Sequence, residues 1–295
     1  MKKGLILFTL ICTCAVAFAQ DTTALTPKKG SYLYYGQPNI EDNSMLIEEA
    51  FNQEAGVIQH ISNFIVDDGN FIYAYTQEIP IPNEKHQLSF GVSYAAMKRP
   101  EAAQFNSNFL TNGFGDILVN YRPMLMDKND WALVIPRFTL IAPTGNARYG
   151  LGFGGWGGQF NMAVTKRLNS KITTHWNAGY TFISKADSYS YLSDGTPELT
   201  FQKDLTFKNI GFSAIWLVRP KFNLMVEYVT AFDKTISDTG SINPENSTII
   251  NPGFRFAVDM GKVQIVPGMG IPINFSNGSF ANTSAFFYLS IEPAY

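Results

Sequence analysis

The chain has 295 residues, with 24 acidic and 22 basic side chains and a formal net charge of −2. With no basic patch and no block of like charge, that balance argues against nucleic acid as a partner. Only 16% of the residues are charged while 14% are aromatic, which suits many short strands facing an apolar medium and is shared by some soluble β-sandwiches.

The chain starts with the pattern of a secretory signal. Lys2 and Lys3 are followed by the apolar run Leu5–Val16 and then by Ala17-Phe18-Ala19, so residues 1–19 are expected to be removed and the mature chain to begin at Gln20. A membrane helix would need about 20 apolar residues, more than this run supplies. Cys12 and Cys14 lie inside it, preceded by Ile11 and Thr13 rather than by the small residue that lipid attachment favours. The mature chain then has no cysteine, which excludes a disulfide framework, a thiolate metal site and a cysteine nucleophile. Loss of Lys2 and Lys3 takes the net charge from −2 to −4.

Residues 20–54 do not alternate. Asp42-Asn43-Ser44 reads as the cap of a short helix over Met45–Asn52, with Glu48 and Glu49 in its first turns. This extension is expected either to plug the lower mouth of a barrel built by the rest of the chain or to precede its first strand as a partly ordered piece.

From residue 55 to 295 the pattern changes to period two. Alternating segments fall at 56–66, 70–80, 86–97, 115–125, 131–142, 156–168, 171–184, 205–218, 221–232, 248–259, 262–273 and 284–295. Twelve is an even number, as bacterial single-chain barrels require. After the third segment the links alternate in length. Long links at 98–114, 143–155, 185–204 and 233–247 are separated by short ones at 127–130, 169–170, 219–220 and 260–261. Short turns at one end and long loops at the other are the habit of outer-membrane barrels, and a sandwich has no reason to adopt it. The uncharged stretch Val263–Ile291 is long enough for a membrane helix. Pro267, Pro272 and the polar run 274–279 break it, so it reads as two strands around an Asn-Gly turn. The expected fold is therefore all-β, a transmembrane antiparallel up-and-down barrel of about twelve strands with a short N-terminal extension.

Alternation also assigns faces. Ile210, Phe212, Ala214 and Trp216 oppose Asn209, Gly211 and Ser213. Phe254, Phe256 and Val258 oppose Asn251, Arg255 and Asp259. An Arg at the lipid midplane costs roughly 2–4 kcal/mol, so the polar face must turn inward. By this rule Glu78, Asp116, Asn120, Arg122, Arg137, His175, Glu227 and Arg255 face the lumen, where they either select solute or brace the barrel as internal ion pairs. Leu133, Ile135, Ile141 and Ile215 share that face, and a partly apolar lumen suits apolar or aromatic solutes better than sugars. In the last strand Phe287, Leu289, Ile291 and Tyr295 face lipid, while Tyr288, Ser290 and Glu292 face inward. A terminal aromatic residue such as Tyr295 is what the outer-membrane assembly machinery recognises.

Enzymatic and metal chemistry find little support. His86 lies at a short-turn strand start, His60 has Ser62 and Asn63 as neighbours, and His175 has no serine at a pairing position, which weighs against a membrane-embedded hydrolase. Asp233, Asp238 and Glu245 lack the spacing of a calcium loop. The Gly-rich stretch 150–158 precedes a strand with no Lys-Ser/Thr, so it reads as a flexible loop rather than a phosphate cradle. No catalytic residue, metal or cofactor is expected.

The middle of the chain resembles a family of outer-membrane barrels described as "MetA-pathway of phenol degradation". The resemblance rests on Gly113–Arg122, Ile135–Gly145 with its Pro143-Thr144-Gly145 end, Gly150–Trp156, Val164–Leu168 and His175–Phe182. It implies a barrel in the outer membrane of a Gram-negative bacterium and a channel for small, often aromatic or apolar compounds. The family's Arg-Pro-rich pattern after the signal is not matched, since Gln37-Pro38-Asn39 stands there. A narrow channel in contact with outer-membrane lipid is thus the leading expectation. A structural or adhesive barrel working through its long loops is the alternative, ahead of a hydrolase or a soluble secreted β-protein.

Overall fold

The computed structural model describes residues 40, 44–98, 110–192, 196–237 and 239–293. The signal segment, the mature start at Gln20, the capping residues Asp42 and Asn43, and Tyr295 lie outside the described residues.

The described residues form sixteen strand segments in chain order: β1 Gln59–Asp67, β2 Asn70–Pro80, β3 His86–Lys98, β4 Leu110–Phe114, β5 Ile117–Pro123, β6 Leu133–Ala142, β7 Gly157–Asn169 and β8 Ile172–Tyr191, then β9 Pro197–Arg219, β10 Phe222–Ile236, β11 Ile242–Phe256, β12 Val258–Met260, β13 Val263–Gly270, β14 Ile273–Ser276, β15 Ser279–Thr283 and β16 Ala285–Pro293. Short breaks divide four strands in two, as β4/β5, β11/β12, β13/β14 and β15/β16, so the segments make up twelve antiparallel strands. Each pairs with its neighbours in sequence, and β1 pairs with β16 from His60↔Ile291 to Val66↔Ala285. That pairing closes the sheet and removes both edges, which would otherwise present unpaired amides.

Strand positions follow the alternation, but the strands on the long-link side reach further than it predicts. The link expected at 185–204 is mostly sheet: Ala186↔Lys203 through Tyr191↔Pro197 continue the β8–β9 ladder, and the side chains of Gln202 and Asp187 bond across it at 2.8 Å. Likewise β10 and β11 run on to Ile236↔Ile242, which sets Asp233 opposite Glu245; Asp238 lies outside the described residues. The final hairpin extends to Ser276↔Ser279, with Asn277 and Gly278 both at positive φ as a two-residue turn requires. These extensions carry polar side chains on both faces, with apolar ones such as Leu199, Ile242 and Phe280 left exposed. Beyond the apolar belt neither face needs apolar side chains, so there is no alternation to read.

The faces sort as the side-chain period demands. Trp176, Trp216, Ile210, Tyr228, Phe254 and Phe287 are exposed on the outside of the wall. Trp131 and Trp156 stand exposed beyond the two ends of the belt, before β6 and β7. A continuous apolar exterior of this kind does not belong on a water-soluble surface. Hydroxyls on that exterior find partners locally: His60 Nδ1 bonds the Tyr75 hydroxyl at 2.7 Å and His86 Nδ1 that of Tyr121 at 2.8 Å.

At the long-link end the Gly-rich stretch leads into β7 and is closely packed, as its glycines permit. The Asp116 carboxylate accepts the amides of Gly145 and Phe153, both at 2.9 Å, and Leu151 is buried. Side chains at Gly145 or Gly152 would strike Leu151 O or Asp116, so glycine there permits close approach. Three of the segments that carry the family resemblance, Gly113–Arg122, Ile135–Gly145 and Gly150–Trp156, meet in this clasp. Below it, Ile141, Ile183, Ala186 and Leu205 form an apolar plug inside the wall, with Phe153 and Phe207 against it.

Candidate functional site

The lumen is the place where polar side chains converge, and its main occupant is the chain's own N-terminal segment. Residues 44–53 do not form the helix expected over Met45–Asn52. They cross the interior as an irregular strap, bent at Met45–Ile47 and at Ala50, whose amides bond to the wall instead of to each other. Glu227 Oε1 on β10 accepts three consecutive amides, from Met45, Leu46 and Ile47, at 2.9, 2.9 and 3.1 Å. The Glu48 amide donates to Asn177 Oδ1 on β8 at 2.8 Å and the Ala50 amide to Thr165 Oγ1 on β7 at 2.8 Å. The Gln53 amide reaches Gln87 Oε1 on β3 at 2.7 Å. A helix would have satisfied these donors internally. Side-chain acceptors placed around the wall satisfy them better, because several are themselves buried and in need of donors.

The strap's side chains add charge pairing. Arg122, 2% exposed, lies 3.3 Å from Glu48, 3.8 Å from Glu49 and 3.7 Å from Glu78. Arg137 pairs with Glu48 at 3.3 Å and donates to Gln159 Oε1 at 2.7 Å, which passes the chain on to Thr181. Asn161 donates to Glu48 Oε2 at 2.6 Å. Asn120 links Thr139 and Ser89. Phe51 and Ala50 pack on Leu133, Ile135 and Ala163, and Ile40 and Met45 on Ile215, Met225, Val266 and Phe286.

Room for the strap is built into the wall. Gly211, Gly253 and Gly268 have no positive φ, so backbone freedom does not explain them. A Cβ at Gly211 would strike Ile47 Cδ1, and one at Gly253 or Gly268 would lie 3.2 or 3.0 Å from Met45 Cε. These glycines stand where strap side chains sit. Gly211→Val is accordingly expected to push Ile47 out of place and lower stability by about 1–3 kcal/mol through overpacking. Limited proteolysis of the detergent-purified barrel checks it, with new cleavage between residues 44 and 53 as the expected result.

The eight residues named from the sequence fall into three groups. Glu78, Arg122, Arg137 and Glu227 belong to the strap network, with Asn120 on the same face of β5 as Arg122 and bonded to Ser89 and Thr139 of the wall. Asp116 sits at the outer clasp and binds backbone there. His175 and Arg255 are fully buried nearer the short-turn end; His175 Nδ1 bonds Thr165 Oγ1 at 2.7 Å, while none of the Arg255 guanidinium nitrogens has a hydrogen-bond partner among the described residues. Asp259, read as sharing the Arg255 face, lies exposed past the short-turn mouth, 2.5 Å from Lys221. Asn177, Thr165, Gln87 and Gln59, which hold the strap, are not singled out by the sequence. Parity places them inward, yet nothing in a neutral residue distinguishes a wall polar group from a binding one.

The sequence matches no family profile and no curated protein. Among solved structures, an outer-membrane channel from Pseudomonas putida F1 superposes with a TM-score of 0.63 at 13% identity, covering 83% of this chain and 98% of that one. The β domain of the Bordetella autotransporter BrkA gives 0.47 at 10% identity over 81% of this chain and 98% of that one. The NanC porin gives 0.44 at 6% identity over 81% and 100%. The first likeness bears out the twelve-stranded barrel fold, the other two add nothing to it, and the family that the middle segments resemble stays unassigned.

Proposed function

We propose that this protein is an outer-membrane channel for small apolar or aromatic compounds, held narrow by its own N-terminal strap. The observation that carries the reading is the pairing of an apolar exterior with a lumen occupied by a segment that is not part of the wall and that several lumen polar groups hold in place. A barrel that served only as a scaffold would need no more than wall-to-wall pairs such as Arg122–Glu78 at 3.7 Å. Here both Arg122 and Arg137 bind Glu48 of the strap. The apolar clusters at either side of the strap favour apolar solutes over sugars. On this reading the chain is exported by its N-terminal signal, delivered to the assembly machinery by Tyr295 and embedded in outer-membrane lipid of a Gram-negative bacterium. The reading assigns the protein no enzymatic role, and it is consistent with His60, His86 and His175 being hydrogen-bonded to Tyr75, Tyr121 and Thr165.

Flux into liposomes carrying the pure protein tests the proposal. An aromatic solute such as phenol is expected to enter faster than glucose, and the barrel to show heat-modifiable migration on a gel. A folded barrel passing neither solute, even with the strap released, would leave the structural or adhesive reading in its place.

A further inference from the structure

Most lumen charges are accounted for by the strap, and Arg255 is the exception. It lies on β11 with 1% of its surface exposed, and Nε, Nη1 and Nη2 all lack hydrogen-bond partners among the described residues. No carboxylate pairs with it among those residues either. A guanidinium is always charged and carries five donors, so leaving it buried and uncompensated is costly. Other buried polar groups at the same end of the lumen are in the same condition. Asn223, the register partner of Arg255 on β10, has both side-chain polar atoms unsatisfied, and Thr173 Oγ1 and His175 Nε2 on β8 are unsatisfied too. All three are buried to 2% exposure or less. Four unsatisfied polar side chains therefore share the lumen face of β8, β10 and β11, on the short-turn side of the strap.

Arg255 Nε, Nη1 and Nη2 and Asn223 Nδ2 are donors without acceptors among the described residues, and Thr173 Oγ1 and His175 Nε2 can donate as well, a set that describes a site for an anion. The planar fork of Arg255 matches a carboxylate, and Asn223, Thr173 and His175 offer the additional donors. The surroundings limit what the rest of the anion is. Met225, Ala257, Val266 and Tyr288, together with Ile215, form the apolar cluster on the same side of the lumen, and Met45 of the strap lies over Gly268 beside Arg255. An inorganic anion would gain nothing from that wall.

We propose that Arg255, with Asn223, Thr173 and His175 Nε2, recognises the carboxylate of a small apolar or aromatic acid beneath the strap. The assignment deepens the channel reading and rests on it for the solute's route, though not for the binding itself. Arg255 is then kept unpaired because the solute supplies its counter-charge.

The test uses the full chain in detergent and in liposomes, with benzoate as probe and benzyl alcohol, acetate and phosphate for comparison. Benzoate is expected to raise the melting temperature of the wild type, and the other three to leave it within error. Arg255→Met is expected to lose benzoate binding at least tenfold while melting no lower than wild type, since it removes an uncompensated charge. Asn223→Leu is expected to weaken binding severalfold and serves if the first variant does not fold. Equal stabilisation by benzoate and benzyl alcohol, equal binding of acetate or phosphate, or retained binding in both variants would overturn the assignment. A lower melting temperature for Arg255→Met would overturn it too, by making Arg255 a brace. Benzoate binding without flux of any solute would remove the channel and leave the site standing. Flux without preference for benzoate would do the reverse.

Discussion

Glu227→Ala is expected to open the lumen without unfolding the barrel. One carboxylate oxygen holds the amides of Met45, Leu46 and Ile47, and the other accepts Asn251 Nδ2 at 2.7 Å. Buried donors left without an acceptor cost about 1–3 kcal/mol each, and most of that cost falls on the strap. The strap can escape it by leaving for water, whereas the wall keeps its own ladder bonds. A loss of about 3 kcal/mol in docking raises the released fraction by roughly two orders of magnitude. Planar-bilayer recordings are expected to show a larger and longer-lived open state than wild type, with heat-modifiable migration retained. Glu227→Gln keeps an oxygen acceptor and is expected to fall between the two. Unchanged conductance in a folded Glu227→Ala barrel would mean that the strap does not occlude the path.

Arg122→Met is expected to produce the largest loss of stability. The guanidinium is shared by Glu48, Glu49 and Glu78 and also donates to the Glu49 carbonyl. Its removal leaves carboxylates facing one another in a confined, poorly hydrated place, and breaking a buried pair in this way costs about 3–5 kcal/mol. Arg137, with a quarter of its side chain exposed, serves Glu48 and Gln159, and its truncation is expected to cost about 1 kcal/mol. Urea unfolding of the two variants checks the order. Combining Arg122→Met with Glu48→Gln should recover part of the loss, because the two positions share one interaction. Additive losses would mean that the ion pair seen at 3.3 Å contributes little.

Much of this architecture is legible in the sequence because a barrel wall has a simple grammar. Alternation names the strand, turn residues name its ends, and a charge names the inward face. Glu227 and Arg255 can therefore be assigned to the lumen from the residues alone. What alternation cannot supply is which inward residues meet. Arg122 and Glu227 look alike as lumen charges, yet one organises carboxylates and the other organises backbone. That difference depends on the strap, whose sequence Ser44–Gln53 has a capping residue and two glutamates and so looks helical. Local propensity favours a helix, and the acceptors offered by β3, β7, β8 and β10 override it. The hairpin extensions escape the pattern for the opposite reason, since water on both faces erases the alternation that marks a strand.

The reach of the strap's bonds also dictates when it can be seated. Met45 and Glu227 are separated by 182 positions in the chain, and other partners of the strap are spread over β3, β5, β6, β7 and β8. Contacts this distant form late, because loop closure must be met before they reward it. Although the strap precedes every strand in the chain, its latch at Glu227 does not exist until the tenth segment has joined the wall. A segment that comes before the barrel strands is thus the last to find its place. Folding ends with the interior being shut rather than with the wall being built.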